Sequence, residues 1–265
     1  MAISQEKTPD VSVVIINYLT WETTLELLKS LGDSSNIEIV VIDNGPENHL
    51  EKPVLEQYPY VKYLRTEQNI GYAGAVNKGI YAASSDWIMV LNNDTTVDSR
   101  GIEKLKEMAI LKNYSVAAPR LINVNKMIQN NVGYFDNGTK HLINWIFARP
   151  RLINASALDV PTQVDLATGG AILFHRSVIE EIGEWDSRFF MYFEDIDFGM
   201  RLKNAHIPVL YVPDIHIGHI NSHTANRSPK NKIKNYISSR NRYVTKHRGW
   251  FVNLINIFFN AYGVS

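Results

Sequence analysis

The alternation of short apolar runs with helical segments constrains this chain more than any other feature of its sequence. The β-branched runs at residues 11–16 and 37–42 are typical of parallel strands buried on both faces. Segments with helical spacing separate these runs, which predicts an α/β fold with a doubly wound, mostly parallel sheet. Predicted strands cover residues 11–16, 37–42, 61–64, 87–91 and 209–212, and predicted helices cover residues 23–31, 50–57, 73–83, 101–111 and 177–182.

Polar residues stand where the predicted strands of the N-terminal half end. Asn17 follows the first strand and Asp43 follows the second. Asn69 comes after the third strand, and residues 92–94 (Asn-Asn-Asp) come after the fourth. Ligands of doubly wound sheets bind beyond the carboxyl ends of the strands. Four such positions in succession therefore predict a binding edge.

The charge of the chain is balanced overall but unevenly distributed. Lysine and arginine number 27, as do aspartate and glutamate, yet no acidic residue follows Asp214. Eight lysines and arginines lie beyond that point, which predicts an anionic partner: a diphosphate, a membrane surface or nucleic acid. The chain contains no cysteine, which excludes disulfides, thiolate zinc sites and cysteine nucleophiles.

Two segments suit a phosphate-bearing ligand. Clustered oxygen ligands at residues 92–94 could hold a divalent cation, but Asp94 is their only carboxylate, so substrate phosphates would have to complete the site. A turn in which Asp94 caps the next helix explains these residues equally well. Residues 69–79 place glycines at a strand-to-helix junction, without the dinucleotide-binding spacing. For Gly79, close helix–sheet packing is an equally good explanation.

The densest group of carboxylates lies within an aromatic run at residues 190–198. Apolar neighbours raise the pKa of a carboxyl group and make it a competent base near neutral pH. The dipole of a helix that starts here would instead lower the pKa of these carboxyl groups. A functional role for Glu194, Asp195 and Asp197 is favoured over simple helix capping. Three histidines within residues 216–223 could ligate a metal.

In this order, the motifs resemble those of the family 2 glycosyltransferases with the A-type fold, and especially the bacterial rhamnosyltransferases and galactofuranosyltransferases. The resemblance implies an inverting transfer of a sugar from a nucleotide-diphosphate donor with the help of a divalent cation, Mg²⁺ or Mn²⁺. It implies a catalytic domain at residues 1–235, with a donor half at about 1–115 and an acceptor half at 116–235. The similar stretches are VSVVIINY, IEIVVIDNGPEN, EQNIGYAGAVNKGI, WIMVLNNDTTVD, ATGGAILFHRSVIEEIGEWDSRFFMYFEDIDFGMRLKNA and VPDIHIGHINS.

The resemblance also implies a role for each matched position. Asp195 is expected to be the catalytic base with Glu194 beside it, and Asp94 and His219 are expected to hold the metal. Many family members carry two or three acids in the metal motif, so weak metal affinity is expected without the donor. Donor binding is expected of Asn17, Asp43, Asn69, Gly71, Asn92, Asn93 and Asp94. Acceptor binding is expected of Gly169, Gly170, Trp185, Tyr192 and Asp197.

The expected acceptor is a hydroxyl of a glycan or lipid-linked molecule in cell-surface polysaccharide synthesis, and the expected sugar is rhamnose. A homodimer is compatible with the sequence, and nucleic acid is not expected as a partner. One alternative is a non-catalytic nucleotide-sugar-binding module on the same fold. The single carboxylate in the metal motif favours this alternative. A nucleotidyltransferase is disfavoured, because no glycine-rich basic loop follows the first strand.

Residues 236–265 are predicted to form a helical tail in which basic residues precede aromatic and aliphatic ones. This order suits peripheral contact with a membrane, while packing against the domain or a second subunit is equally well supported. The chain opens on a polar stretch, and its first apolar run is too short for a signal core or a membrane span. The expected location is the cytoplasm, at the inner face of the plasma membrane.

Overall fold

The protein has a central nine-stranded sheet with helices on both faces and a separate three-stranded sheet. A computed structural model describes residues 8–46, 55–135, 150–168, 170–220 and 229–250, together with residues 252, 254 and 257. The predicted helix at 50–57 lies partly outside these residues. Gly169 and His223 lie wholly outside them. The strands are β1 (Val11–Asn17), β2 (Ile37–Asp43), β3 (Lys62–Arg65), β4 (Trp87–Asn92), β5 (Thr95–Thr96), β6 (Val116–Ile122), β7 (Val132–Tyr134), β8 (Arg151–Leu152), β9 (Thr162–Val164), β10 (Leu166–Ala167), β11 (Ala171–His175) and β12 (Val209–His219). The helices are α1 (Trp21–Leu31), α2 (Gly71–Ala82), α3 (Ser99–Leu111), α4 (Ser177–Ile182), α5 (Glu194–Asn204) and α6 (Pro229–Arg248).

The N-terminal half of the central sheet is parallel, as predicted. β1 pairs with β2 and β4, and β2 pairs with β3. Every residue of β1 is buried, which is why its sequence is a continuous β-branched run rather than an alternation. The register sets Asn17 beside Asp43 and Ile16 beside Asn92, so the strand ends share one edge of the sheet.

Helices cover both faces of this half of the sheet. On one face, Val14 and Ile16 pack with apolar residues of α2, such as Val76. On the other, Val13 and Ile15 pack with apolar residues of α1 and α3. The predicted doubly wound arrangement is therefore confirmed for the N-terminal half.

The C-terminal half of the sheet is mixed rather than parallel. β11 lies antiparallel between β4 and β6, and β12 runs parallel to β6. The far end of β12 pairs antiparallel with the two-residue strand β5. That pairing sets His219 beside Thr95 and so brings it to the neighbouring Asp94. The complete strand order is β3-β2-β1-β4-β11-β6-β12-β5, with β9 also paired to β12.

Gly79 lies where α2 crosses β1. A Cβ atom on this residue would lie 2.2 Å from Cγ1 of the buried Val14, so only glycine fits without a shift of the backbone. Helix–sheet packing thus accounts for Gly79, one of the two explanations that its sequence position left open.

Helix α6 extends the fold beyond the central sheet. It begins at Pro229 and therefore crosses the boundary expected at residue 235. Its residues Tyr243 and Val244 are buried in a small apolar cluster with Phe189 and Phe193. Among the described residues, no helix is both long and apolar enough to cross a membrane.

Candidate active site

A cavity of about 270 Å³ opens where β1 and β4 end and β11 begins. Its wall combines apolar side chains from three neighbouring strands (Ile16, Val90 and Ile172) with polar side chains from the strand ends and from the start of α5. The structure brings ten of the predicted site residues to this cavity: Asn69, Gly71, Asn92, Asn93, Asp94, Gly170, Trp185, Tyr192, Glu194 and Asp195.

Asn17 and Asp43 lie behind the cavity wall. Both side chains are buried, and Asn17 donates a 3.0 Å hydrogen bond to Asp43 Oδ1. Asn17 Oδ1 in turn lies 3.3 Å from Nδ2 of Asn93, which faces the cavity. Burial has the largest effect on Asp43 and raises its pKa. Hydrogen bonds from the Gly45 backbone, Asn17 and Tyr63, together with the charge of Arg65, act to lower it. The structure thus links Asn17 and Asp43 to the cavity through Asn93, and their contact with the donor stays a prediction.

Asn44 organises the glycine segment and was not predicted. Its side-chain NH₂ donates to Asn69 Oδ1 at 3.0 Å and to the Gly71 carbonyl at 3.1 Å. Gly71 has a φ of +79°, and a Cβ there would lie 2.7 Å from the carbonyl oxygen of Phe190. Glycine is therefore required at this point by both its backbone conformation and its neighbour. The Asp-Asn-Gly sequence at 43–45 predicted a turn, but the turn signal does not say where the asparagine side chain points.

Tyr72 is a second cavity residue that was not predicted. Its hydroxyl donates a 2.8 Å hydrogen bond to Asn92 Oδ1, and its backbone N–H bonds to Phe190 O at 2.9 Å. Burial raises the pKa of this phenol far above its usual value, and the charges of Glu194 and Asp195 add to the effect. Tyr72 is therefore a neutral hydrogen-bond donor among carboxylates. Its position in the glycine segment at 69–79 had predicted no role of its own for this residue.

Gly170 and Trp185 shape the opposite side of the cavity. A Cβ on Gly170 would lie 2.2 Å from Cγ of Asn92, so this glycine leaves room for that side chain. The backbone of Trp185 is held on both sides by the buried Asn77, with bonds of 2.7 and 3.0 Å. The buried indole Nε1 of Trp185 has no acceptor among the described residues, which leaves it available to a ligand.

Glu194 and Asp195 form the first turn of α5. The two residues before Glu194 have left-handed backbone conformations, with φ values of +69° at Tyr192 and +65° at Phe193. Such conformations are unfavourable for aromatic residues and persist only where the surroundings impose them. Burial, reinforced by the charge of Asp195, raises the pKa of Glu194 well above its ordinary value. Glu194 Oε2 accepts no hydrogen bond from the described residues.

Asp94 and His219 meet beside the cavity. Asp94 Oδ1 lies 3.5 Å from His219 Nε2, and both side chains are buried. Gln129 orients the imidazole: its Nε2 donates to the His219 carbonyl at 3.2 Å, which leaves Oε1 to accept from Nδ1 at 2.8 Å. The Nδ1 atom therefore carries hydrogen and Nε2 faces the carboxylate, an arrangement typical of a metal-binding histidine. Within the described residues, no group of three or more acidic or histidine side chains could hold a metal ion.

Asp197 does not line the cavity, contrary to the expectation that it binds the acceptor. Its side chain is fully buried, and it bonds to Arg201 Nε at 2.9 Å, Lys246 Nζ at 2.7 Å and His247 Nε2 at 2.7 Å. Burial has the largest effect on Asp197 and would raise its pKa, but these partners outweigh it and lower the pKa.

Replacing Glu194 by Gln is expected to stabilise the protein at pH 8 more than at pH 5. Because the folded state raises the pKa of Glu194, the free energy of unfolding falls as pH rises from the ordinary pKa through the folded one. Glutamine cannot ionise, so the variant does not lose this free energy of unfolding at high pH. Each kcal/mol gained in the free energy of unfolding raises the melting temperature by about 2–4 °C. Thermal melts at both pH values measure the effect, with the exposed Glu181→Gln as control. An equal gain at both pH values would contradict the prediction.

Comparisons with known proteins agree with this geometry. The model of the family "Glycosyl transferase family 2" matches residues 12–183, more than half of the chain. A hexosyltransferase of low-salt glycan biosynthesis, Agl10 of Haloferax volcanii, is 29% identical over 211 residues, covering 78% of this chain and 66% of that protein. The N-acetylglucosaminyl-diphospho-decaprenol L-rhamnosyltransferase of Mycobacterium tuberculosis is 26% identical over 243 residues, covering 84% and 79%. Rhamnosyltransferase WbbL of Escherichia coli is 24% identical over 250 residues, covering 90% and 94%.

Solved structures agree on the fold. GalNAc-T7, crystallised with UDP, GalNAc and Mn²⁺, superposes with a TM-score of 0.65 at 20% identity, covering 87% of this chain and 48% of that one. Staphylococcus aureus TarS 1–349 superposes with a TM-score of 0.58 at 13% identity, covering 90% and 73%. The fold is the A-type glycosyltransferase fold, whose members commonly use divalent cations. The chain is a glycosyltransferase enzyme, and it belongs to glycosyl transferase family 2.

Proposed function

We propose that this enzyme transfers a sugar, with inversion, from a nucleotide-diphosphate donor to a hydroxyl group of a glycan or lipid-linked acceptor. The observation that carries the proposal is the meeting of Asp94 with Glu194 and Asp195 in one cavity. A carboxylate beside the diphosphate and a carboxylate beside the acceptor are the two groups that a single displacement requires. The proposed process is cell-surface polysaccharide synthesis; two relatives are named for glycan biosynthesis and for the synthesis of poly-β-1,6-N-acetyl-D-glucosamine.

Asp195 is the base in this proposal. It takes the proton of the acceptor hydroxyl while the hydroxyl oxygen bonds to the anomeric carbon and the bond to the diphosphate oxygen breaks. Burial raises the pKa of Glu194 well above its ordinary value, which favours the protonated form that can donate a hydrogen bond. Neighbouring carboxyl groups whose surroundings separate their pKa values divide the acid and base roles in many enzymes. One displacement without a covalent intermediate inverts the anomeric configuration.

The donor occupies the part of the cavity next to the strand ends. Asn69, Gly71 and residues 92–94 provide its polar contacts. Asp94 and His219 would hold Mg²⁺ or Mn²⁺, which when bound offsets the negative charge of the leaving diphosphate. The fit rests on the 3.5 Å approach of Asp94 Oδ1 to His219 Nε2 and on the orientation that Gln129 gives the imidazole. With only two protein ligands, the cation is expected to bind together with the donor.

Rhamnose is the proposed sugar. Two of the relatives are named rhamnosyltransferases. The apolar wall formed by Ile16, Val90 and Ile172 supports the choice, because a methyl group in place of a hydroxymethyl group favours burial against such side chains. Gly170, Trp185 and Tyr192 remain the proposed acceptor contacts.

Helix α6 is the proposed membrane contact, at the inner face of the plasma membrane. Its apolar face, buried at Tyr243 and Val244, continues towards the helix start at Ile233 and Ile237, which are 61% and 41% exposed. Exposed cations such as Lys232 flank this stretch. Apolar side chains next to cations suit an anionic bilayer surface, where a lipid-linked acceptor would be presented.

Asp195→Asn is expected to abolish sugar transfer and to leave donor binding within about twofold. Asparagine keeps the shape of the side chain but cannot take the proton, and loss of a general base lowers rates by about 10²–10⁴-fold. Release of nucleoside diphosphate in the presence of acceptor measures transfer, and calorimetric titration with the donor measures binding. Turnover at the wild-type rate in this variant would contradict the role of Asp195. Release that does not depend on acceptor in the wild type would contradict the transfer itself.

His219→Ala is expected to weaken the binding of Mn²⁺ in the presence of donor by at least tenfold. Electron paramagnetic resonance of free Mn²⁺ measures this binding without reference to activity. His216→Ala is the matched control, because His216 lies exposed on the same strand. Equal Mn²⁺ affinity in the two variants would show that His219 is not a metal ligand.

Replacing Ile233 and Ile237 together by Ser is expected to reduce sedimentation with vesicles that contain phosphatidylglycerol by about tenfold. The change removes apolar area that inserts into the interface, while the cations remain. The same double change at Ile110 and Leu111, an exposed apolar pair at the end of α3, serves as control. Wild-type protein that stays in the supernatant would exclude this contact.

A further inference from the structure

We infer that Ser239 and Lys246 of helix α6 are positioning residues for the Glu194–Asp195 pair. The expected effect on catalysis rests on the proposed function, whereas the restraint itself rests on the packing of α6. It concerns the loop that begins at Asp186, directly after Trp185, and ends at Asp197 in the first turn of α5. This stretch, residues 186–197, is called the acidic loop below.

Lys246 joins the two ends of the acidic loop. Its Nζ lies 2.8 Å from Asp186 Oδ2 and 2.7 Å from Asp197 Oδ1. Asp197 is fully buried, and Asp186 is further fixed by Arg188 through bonds of 2.8 and 2.6 Å. A buried carboxylate without a cation is strongly unfavourable, so these distances define where the loop can begin and end. Lys246 is thus a link from α6 to both ends of the loop, beside Arg188 at Asp186 and Arg201 and His247 at Asp197.

Ser239 holds the middle of the acidic loop. Its hydroxyl donates a 2.8 Å hydrogen bond to the carbonyl of Met191, the residue before the two left-handed positions. The ring of Tyr236 packs edge-on against Tyr192 and Phe193, with centroid distances of 6.1 and 5.3 Å. These contacts lie on the strained part of the loop and provide the surroundings that such backbone conformations need.

The other end of α5 does not offer the same restraint. Arg201 bonds to Asp197 from within α5 itself and to the carbonyls of Ile182 and Gly183. It anchors the helix body, but among the described residues no bond joins it to Met191, Tyr192 or Phe193. Tyr72 bonds to Phe190 O, and Phe135 and Leu166 lie in the same apolar cluster as Phe189 and Phe193. Helix α6 adds the hydrogen bond from Ser239 and the ring of Tyr236 at the strained residues, and it thereby restrains the first turn of α5 that carries Asp195.

The test compares three variants of the full chain. Ser239→Ala removes one hydroxyl, Lys246→Met removes the cation at similar length, and Lys246→Arg retains the charge. Thr245→Ala is the control, because Thr245 is exposed and its hydroxyl bonds only to Asn241 O of its own helix. We expect kcat to fall about 10–100-fold in the first two variants, with the donor KM within about twofold. Lys246→Arg should recover at least a third of the wild-type kcat, and Thr245→Ala should match the wild type.

Hydrogen exchange of the amides of residues 191–196 provides a readout that does not need activity. We expect exchange to be at least tenfold faster in Ser239→Ala and Lys246→Met, and unchanged in Thr245→Ala. Unchanged kcat in both variants of a transferring enzyme would overturn the inference, whether or not exchange rises. If the wild type transfers no sugar, the proposed function fails, and the exchange data alone then decide whether α6 holds the loop. If Lys246→Met does not fold, Ser239→Ala decides on both readouts.

Discussion

The parallel pairing of β1 with β2 and β4 is the constraint on which the rest of the site depends. Because strands that run side by side in one direction end together, the pairing places Asn17 beside Asp43 and Ile16 beside Asn92. The cavity opens at this edge. The antiparallel pairing of β5 with β12 then adds His219 next to Asp94 from a distant part of the sequence. The positions of Asn17, Asn92 and His219 therefore follow from strand register, whereas Asn69 is held by the side chain of Asn44.

The buried carboxylates of this protein fall into two kinds. Asp197 is surrounded by Arg201, Lys246 and His247, which lower its pKa and make it a fixed structural charge. Among the described residues Glu194 has no such partner, and burial beside Asp195 raises its pKa. The first kind holds the loop in place, whereas the second kind can take up or release a proton because no cation fixes it in the ionised form. Two carboxylates three residues apart on one helix thus have opposite roles.

Much of the fold was predictable, because continuous β-branched runs and strand-end polar residues depend on local sequence. The four N-terminal strands and the position of Asn69 and residues 92–94 at one edge follow from those signals, whereas the role of Asp195 at this edge was implied only by the resemblance. The mixed C-terminal half was not predicted, since the direction of β11 depends on a crossover that leaves no periodic signal. Asp197 was expected in the cavity because it shares the acidic run with Asp195, but Lys246 and His247, from a helix distant in the chain, enclose it. Tyr72, Asn44 and Gln129 were missed because their roles arise from contacts between segments distant in the chain.

The contacts of α6 with the acidic loop have a consequence for the order in which the protein matures. The strand-end part of the cavity is encoded almost entirely before residue 100, whereas Ser239 and Lys246 leave the ribosome more than 40 residues after Asp195. A nascent chain can therefore complete its donor half while the acidic loop still lacks its restraints. If α6 restrains the acidic loop as inferred, catalytic competence comes after the donor half is complete, and an unfinished chain would hold the donor without transferring its sugar.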